Sequence, residues 1–290
     1  MSIIGSFRWG LFGDGVVAVR SSHLFLLVSA LLSRMTRCHT SFLIVGIGGG
    51  SLIISSFLSG TVQASVKTQE VAYYKDAKGY LALPSKRRGK KAAVILIHEW
   101  WGINDDIRRK AEDFAEQGYV AFAVDLYGGQ STSDPAEARK LASAVGGNNK
   151  EAFANLGAAL GYLKQRRDVD DERLASVGWC FGGGWSYQMA KNNLGTKASV
   201  IYYGRFNPAD DLALMRARIM GHFAEKDRGI KVDNVKQFQA TLRGLSAEHE
   251  IFIYPNAGHG FANPDNKRVY DKDSAEQAYA RTLEFLEKHL

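Results

Sequence analysis

Short apolar runs alternate with longer amphipathic stretches from about residue 92 to the C-terminus. Ala92-Ala93-Val94-Ile95-Leu96-Ile97 has no polar position, the pattern of a parallel strand covered on both faces. Short runs at 119–124, 173–177, 198–203, 217–223 and 248–254 predict five further strands. The stretches between them carry helical periodicity and predict helices at about 105–117, 135–144, 150–167, 185–193, 232–245 and 274–289. Ahead of these, residues 68–74 and 80–83 alternate and predict a hairpin of edge strands around Asp76-Ala77-Lys78-Gly79. Strand–helix alternation without repeat or linker predicts one α/β domain over residues 65–290. Its sheet is mostly parallel, with helices on both faces.

The N-terminal stretch has a different pattern. Residues 42–58 are apolar and uncharged, Arg37 stands ahead of them, and Val62-Gln63-Ala64 follows. A basic flank, an apolar run and small residues before a cleavage point form a secretory signal pattern, with cleavage expected after Ala64. Counting from Met35 gives a signal peptide of ordinary length, so Met35 is the expected start and residues 2–34 the upstream sequence. The expected location is periplasmic or secreted. The alternative is an anchor retained in the membrane, since the apolar run approaches spanning length.

Composition narrows the function classes. Of 290 residues, 46% are hydrophobic and 23% charged, enough for one sizeable core. The formal charge is +7; without residues 1–64, 33 basic residues stand against 29 acidic ones. That mild excess gives no nucleic-acid signature. Only two cysteines occur, Cys38 and Cys180, which excludes a disulfide framework. With the leader removed, Cys180 is the one remaining thiol.

Cys180 lies in Gly178-Trp179-Cys180-Phe181-Gly182-Gly183-Gly184, between a predicted strand and a predicted helix. This is the thiol form of a nucleophile elbow, where glycines let strand and helix approach around a strained turn. The Phe181 amide falls at a helix N-terminus, where a developing oxyanion can be held. Asp227 and His259 each follow the carboxyl end of another predicted strand, where ligands bind in open α/β sheets. The order Cys180, Asp227, His259 is nucleophile, acid, base. His259 can take the thiol proton and Asp227 can fix the imidazole tautomer. Taken singly, each also fits a solvated loop residue. Trp100, Trp101, Tyr127 and Tyr203 predict an aromatic pocket, with Arg205 as a candidate cation beside it.

Gly178-Trp179-Cys180-Phe181-Gly182-Gly183, Tyr202-Tyr203-Gly204 and Ala257-Gly258-His259-Gly260-Phe261 resemble the dienelactone hydrolase (carboxymethylenebutenolidase) family from about Val71 onward. The resemblance implies an α/β-hydrolase fold and a Cys-His-Asp enzyme that opens enol lactones without a cofactor. It also implies that Glu99 holds the resting thiol and that the Trp100 amide joins that of Phe181 in the oxyanion hole. His98 and Glu99 are adjacent in an extended segment and point oppositely, so no metal is expected there. Two family arginines that bind the substrate carboxylate are missing. Gly129 stands at one place, and Phe261-Ala262-Asn263-Pro264 covers the other. The expected partner is therefore a small lactone or activated ester, bound by a monomer. Nucleic acid is not expected, and membrane contact only through an uncleaved leader. A generic carboxylesterase or thioesterase, or a binding protein that kept the fold, are the alternatives.

Overall fold

The computed structural model describes residues 66–85 and 88–290, together with the backbone of three short strands nearer the N-terminus. The chain divides into two compact units, Met1–Ala64 and Ser65–Leu290. In the first, β1 (Val17–Val19), β2 (Phe42–Ile44) and β3 (Leu52–Ser56) pair antiparallel in the order β1-β3-β2. The expected start at Met35 and cleavage point at Ala64 lie outside the described residues.

The second unit is built on an eight-stranded sheet. Its strands are β4 (Lys67–Tyr74), β5 (Ala77–Leu83), β6 (Lys91–Ile97), β7 (Val120–Val124), β8 (Val169–Trp179), β9 (Ala198–Tyr202), β10 (Arg218–Ala224) and β11 (Glu250–Tyr254). Their order is β11-β10-β9-β8-β6-β7-β5-β4. Every pair from β7 through β6, β8, β9 and β10 to β11 is parallel, and only the β4–β5 hairpin joins antiparallel. Six helices follow in chain order: α1 (Asp105–Glu116), α2 (Pro135–Gly146), α3 (Asn149–Lys164), α4 (Phe181–Lys191), α5 (Val232–Arg243) and α6 (Lys272–His289).

The apolar run of β6 is buried on both faces, as its pattern predicts. Val94 and Leu96 pack with Ile107, Ala111 and Phe114 of α1 and with Phe285 and Leu286 of α6. Ala93, Ile95 and Ile97 face the other way, toward Leu156, Leu160 and Leu163 of α3 and Met189 of α4. The period of two along the strand sends alternate side chains into separate cores. Because both cores are filled, the strand ends are free to carry chemistry.

The hairpin differs from expectation. Its turn is Lys75-Asp76, with Lys75 at φ 44°, and β5 begins at Ala77. Gly79, expected in the turn, is a strand residue. A Cβ there would come within 2.4 Å of the Phe122 ring on neighbouring β7, so the glycine serves packing.

Candidate active site

Four strand ends converge on one cavity of about 1130 Å³. β8 delivers Cys180, β10 leads to Asp227, β11 leads to His259 and β6 ends just before Glu99. The volume exceeds what a small lactone needs, since pockets for drug-sized ligands run from about 300 to 1,000 Å³.

The elbow is tight because backbone meets backbone. A Cβ on Gly178 would lie 2.0 Å from the Gly182 carbonyl oxygen, and one on Gly182 would lie 2.1 Å from that of Ile97. Cys180 itself has φ 53° and ψ −113°, a conformation that L-residues rarely adopt. Its amide donates to the Tyr202 carbonyl at 2.9 Å, which ties the turn to β9. The strain raises the side chain above the sheet edge, half-buried at the cavity floor.

The three expected partners form one chain of contacts. Cys180 Sγ lies 3.1 Å from His259 Nε2, and His259 Nδ1 lies 2.7 Å from Asp227 Oδ2. Asp227 Oδ1 accepts from the amides of Gly229 and Ile230 at 2.8 and 3.1 Å. Burial opposes charge on Asp227, but the hydrogen bonds from His259 and the two amides outweigh it and hold its carboxyl below the usual range. Burial likewise opposes a charged imidazole at His259. The Asp227 hydrogen bond and the Cys180 contact outweigh it and lift His259 to about 10. A proton moved from Cys180 onto Nε2 therefore lands on a base whose charged form is stabilised.

Glu99 is placed differently from what the resemblance implies. Its Oε1 accepts from the Tyr203 hydroxyl at 3.2 Å and its Oε2 from Asn263 Nδ2 at 2.7 Å. Two neutral donors thus satisfy the carboxylate while the thiol sits on His259. Desolvation pushes the Glu99 carboxyl above its ordinary value, against the pull of Lys110 and the Asn263 and Tyr203 hydrogen bonds. Tyr203 is fully buried at φ 37°, its amide bound to the His222 carbonyl at 2.8 Å, and its ring lies edge-on to His259 with centroids 5.2 Å apart. Asn263 was not singled out from sequence. It occupies the stretch where the family's second arginine lies, and that position is its one sequence signal.

Removing Asn263 tests the clamp. Asn263→Ala should lower the unfolding free energy by about 1.5–3 kcal/mol at neutral pH, the usual scale for a hydrogen bond to a charged group. Because the folded-state Glu99 pKa is already raised, the native state holds its proton more readily than the unfolded chain. The deficit should therefore shrink as pH falls through the raised folded pKa toward the ordinary carboxylate range. Urea melts across that window check it; a pH-independent deficit would detach Asn263 from Glu99.

Behind the cavity, His98 is fully buried against Tyr127 and Phe181. Its Nε2 accepts from the Leu126 amide at 3.3 Å, so Nδ1 carries the proton and donates to the Glu99 carbonyl. A trans peptide puts its N–H opposite its C=O. Pinning the Glu99 carbonyl toward the core thus turns the Trp100 N–H the other way. The Tyr127 hydroxyl donates to the Trp100 carbonyl at 3.1 Å and fixes the next peptide. Phe181 opens α4, where amides lack helical partners.

Trp100, Trp101, Phe181, Tyr203 and Arg205 line the cavity. Tyr127 does not: it is buried beneath Trp100 and Phe181, its hydroxyl engaged with the backbone. Gly129 has φ 87° in a turn whose amides are drawn to Asp125, a backbone that resists an arginine side chain. Among the described residues no cluster of three or more His, Cys, Asp or Glu side chains has the arrangement of a metal site.

Known proteins resemble the chain in sequence and in fold. The chain is 28% identical over 223 residues to a Yersinia pestis protein named "Putative carboxymethylenebutenolidase", covering 72% of this chain and 83% of that one. It is 30% identical over 223 residues to a Bradyrhizobium protein named "Probable 2-oxo-3-(5-oxofuran-2-ylidene)propanoate lactonase", covering 73% and 89%. A dienelactone hydrolase-like promiscuous phosphotriesterase from metagenomic libraries shares the fold. Its TM-score is 0.72 at 21% identity, over 78% of this chain and 99% of that one. The sequence profile of the dienelactone hydrolase family matches residues 77–290, nearly the whole of the second unit. The chain belongs to the dienelactone hydrolase family and is a carboxylic ester hydrolase of the α/β-hydrolase fold.

Proposed function

We propose that the protein is an exported cysteine hydrolase that cleaves small lactones or activated esters through Cys180, His259 and Asp227. The observation that carries this reading is the unbroken line from Sγ through the imidazole to a carboxylate, at 3.1 and 2.7 Å. Cys180 gives its proton to His259 Nε2 and attacks the substrate carbonyl, forming a C–S bond and a tetrahedral oxyanion. The Phe181 and Trp100 amides stabilise that oxyanion, the second aimed by His98. Collapse breaks the C–O bond, and His259 returns the proton to the leaving oxygen. In a lactone that oxygen stays tethered to the acyl group. Water, deprotonated by His259, then cleaves the thioester and restores the thiol. Glu99 is a positioning residue here: through Asn263 it ties the turn after β6 to the loop after His259.

A broader esterase or thioesterase specificity has one observation in its favour. The two arginine places of the family hold Gly129, and a stretch in which Asn263 is bound to Glu99. Among the described residues no helix is long and apolar enough to cross a membrane. One preparation tests the reading: protein recovered from the exported fraction, its first residue determined, and its turnover measured on enol lactones and p-nitrophenyl esters. Export with cleavage after Ala64 predicts Ser65 as the first residue. Enol lactone preference supports a lactonase, ester preference supports the broader enzyme, and inertness to both overturns the proposal.

A further inference from the structure

The outer half of the cavity has a charge pattern that the reaction chemistry leaves unused. Arg139 on α2, Arg205 after β9, and Lys226 and Arg228 after β10 all line it, and all four are exposed. They come from three separate segments of the chain. Among the described residues none of the four forms an ion pair. The acids lining the same cavity are Glu99 and Asp227. Both are already engaged, the first by Tyr203 and Asn263, the second by His259 and two amides.

We infer that this rim is a subsite for an anionic group carried on an arm of the substrate, distant from the scissile carbonyl. The inference rests on the hydrolase reading above and names the substrate class for the same site. Four cations of one sign around a low-dielectric cleft focus the field and raise the local concentration of anions. The cavity has room for an arm beyond the acyl group, because its volume is larger than a bare lactone requires. Arginine supplies the planar fork that pairs with carboxylate or phosphate, and three of the four are arginines. Charge recognition is thus moved to the rim, away from Asn263, which lines the cavity without offering a cation. A compact carboxylate beside the scissile bond gains little from this rim; a carboxylate on a longer chain reaches it.

Matched substrates read this directly. Mono-p-nitrophenyl esters of the six-carbon and ten-carbon dicarboxylic acids are compared with the same molecules capped as methyl esters. The acyl centre and length are shared within each pair, so the ratio of kcat/KM for free acid to methyl ester isolates the charge. For the ten-carbon pair the ratio should reach about tenfold at low ionic strength, and it should be smaller for the six-carbon pair. It should fall toward one in 0.5 M NaCl, because exposed charges are screened there. Arg139→Gln/Arg205→Gln/Arg228→Gln should collapse the same ratio, and each single substitution should lower it about two- to threefold. Lys236→Gln, on the exposed side of α5, should not change it. Taking the ratio within one protein cancels losses of folded enzyme, and the salt series needs no variant. A ratio near one for both lengths in wild type, or a preference that survives both salt and the triple variant, overturns the subsite. Failure to cleave even the methyl esters would instead overturn the hydrolase reading.

Discussion

Cys180→Ala should reduce ester and lactone turnover by about 10⁵-fold or more, to the level of background hydrolysis. Removing the nucleophile of a comparable serine triad costs on the order of 10⁶ in kcat, because nucleophile and base act as a unit. The geometry predicts the same interdependence. His259 Nε2 faces the thiol at 3.1 Å, and without that thiol the imidazole has no group to activate in the acylation step. Acid-quenched wild-type reactions should carry the acyl mass on the peptide containing Cys180, and the variant should carry none. Folding should survive, since the side chain is half-buried and its amide still bonds to the Tyr202 carbonyl. The backbone strain offers a second readout. At φ 53° a Cβ is unfavourable, by roughly 1–3 kcal/mol for residues held in such regions. Cys180→Gly should therefore melt above Cys180→Ala while being equally inactive. Wild-type turnover by Cys180→Ala would remove Cys180 from the chemistry.

The parts legible in the sequence are those governed by local pattern. Each of the six parallel strands, β6 to β11, contains a short apolar run, because a strand covered on both faces carries little polar side to confuse the signal, whereas β4 and β5 show only by alternation. Cys180, Asp227 and His259 are legible for a related reason: each lies within a short loop after such a run, so the topology that places strand ends together also brings them together. What escaped depends on contacts between distant segments. Asn263 meets Glu99 across 164 residues, and nothing local in Ala262-Asn263-Pro264 announces it. Once Asn263 and Tyr203 hold both carboxylate oxygens, the implied grip of Glu99 on the thiol gives way to the Cys180–His259 contact. Glu99→Ala is then not expected to release a thiol that already lies on its base. Tyr127 was expected in the pocket because its motif follows a strand end. It is buried instead, because its hydroxyl has the Trp100 carbonyl to bind and its ring fills the space under Phe181. The cationic rim escaped for the same reason as Asn263. Arg139 lies on α2, which packs on α3, and only the fold brings it to the cavity that Arg205, Lys226 and Arg228 also line.

Asp227→Asn should cost about 10³ to 10⁴ in kcat while leaving the fold in place, by analogy with the serine triad. The reason is a tautomer rather than a lost contact. In the wild type, Asp227 Oδ1 accepts from the Gly229 and Ile230 amides, and Oδ2 accepts from His259 Nδ1–H. In the neutral imidazole, Nε2 is thereby left with a lone pair for the Cys180 proton. An asparagine must keep its carbonyl oxygen on the two amides, because its NH₂ cannot accept from them. The NH₂ then faces His259 and donates to Nδ1, which puts the imidazole proton on Nε2, where it blocks the thiol. Titration gives an independent check. With the carboxylate gone, His259 should fall from about 10 toward its ordinary value near 6.5, measurable by the pH dependence of its NMR shifts. The sign of the stability change follows from the same shifts. The raised His259 pKa contributes stability that is fully present below about pH 6.5 and is lost as pH rises through about 10. The depressed Asp227 pKa contributes stability present above the ordinary carboxylate pKa and lost as pH falls through its folded value. The variant should therefore be least stable relative to wild type between about pH 4 and 6.5 and approach it again near pH 10. A deficit that grows toward pH 10, or a variant whose His259 still titrates near 10, would show that Asp227 is not the partner that charges the imidazole.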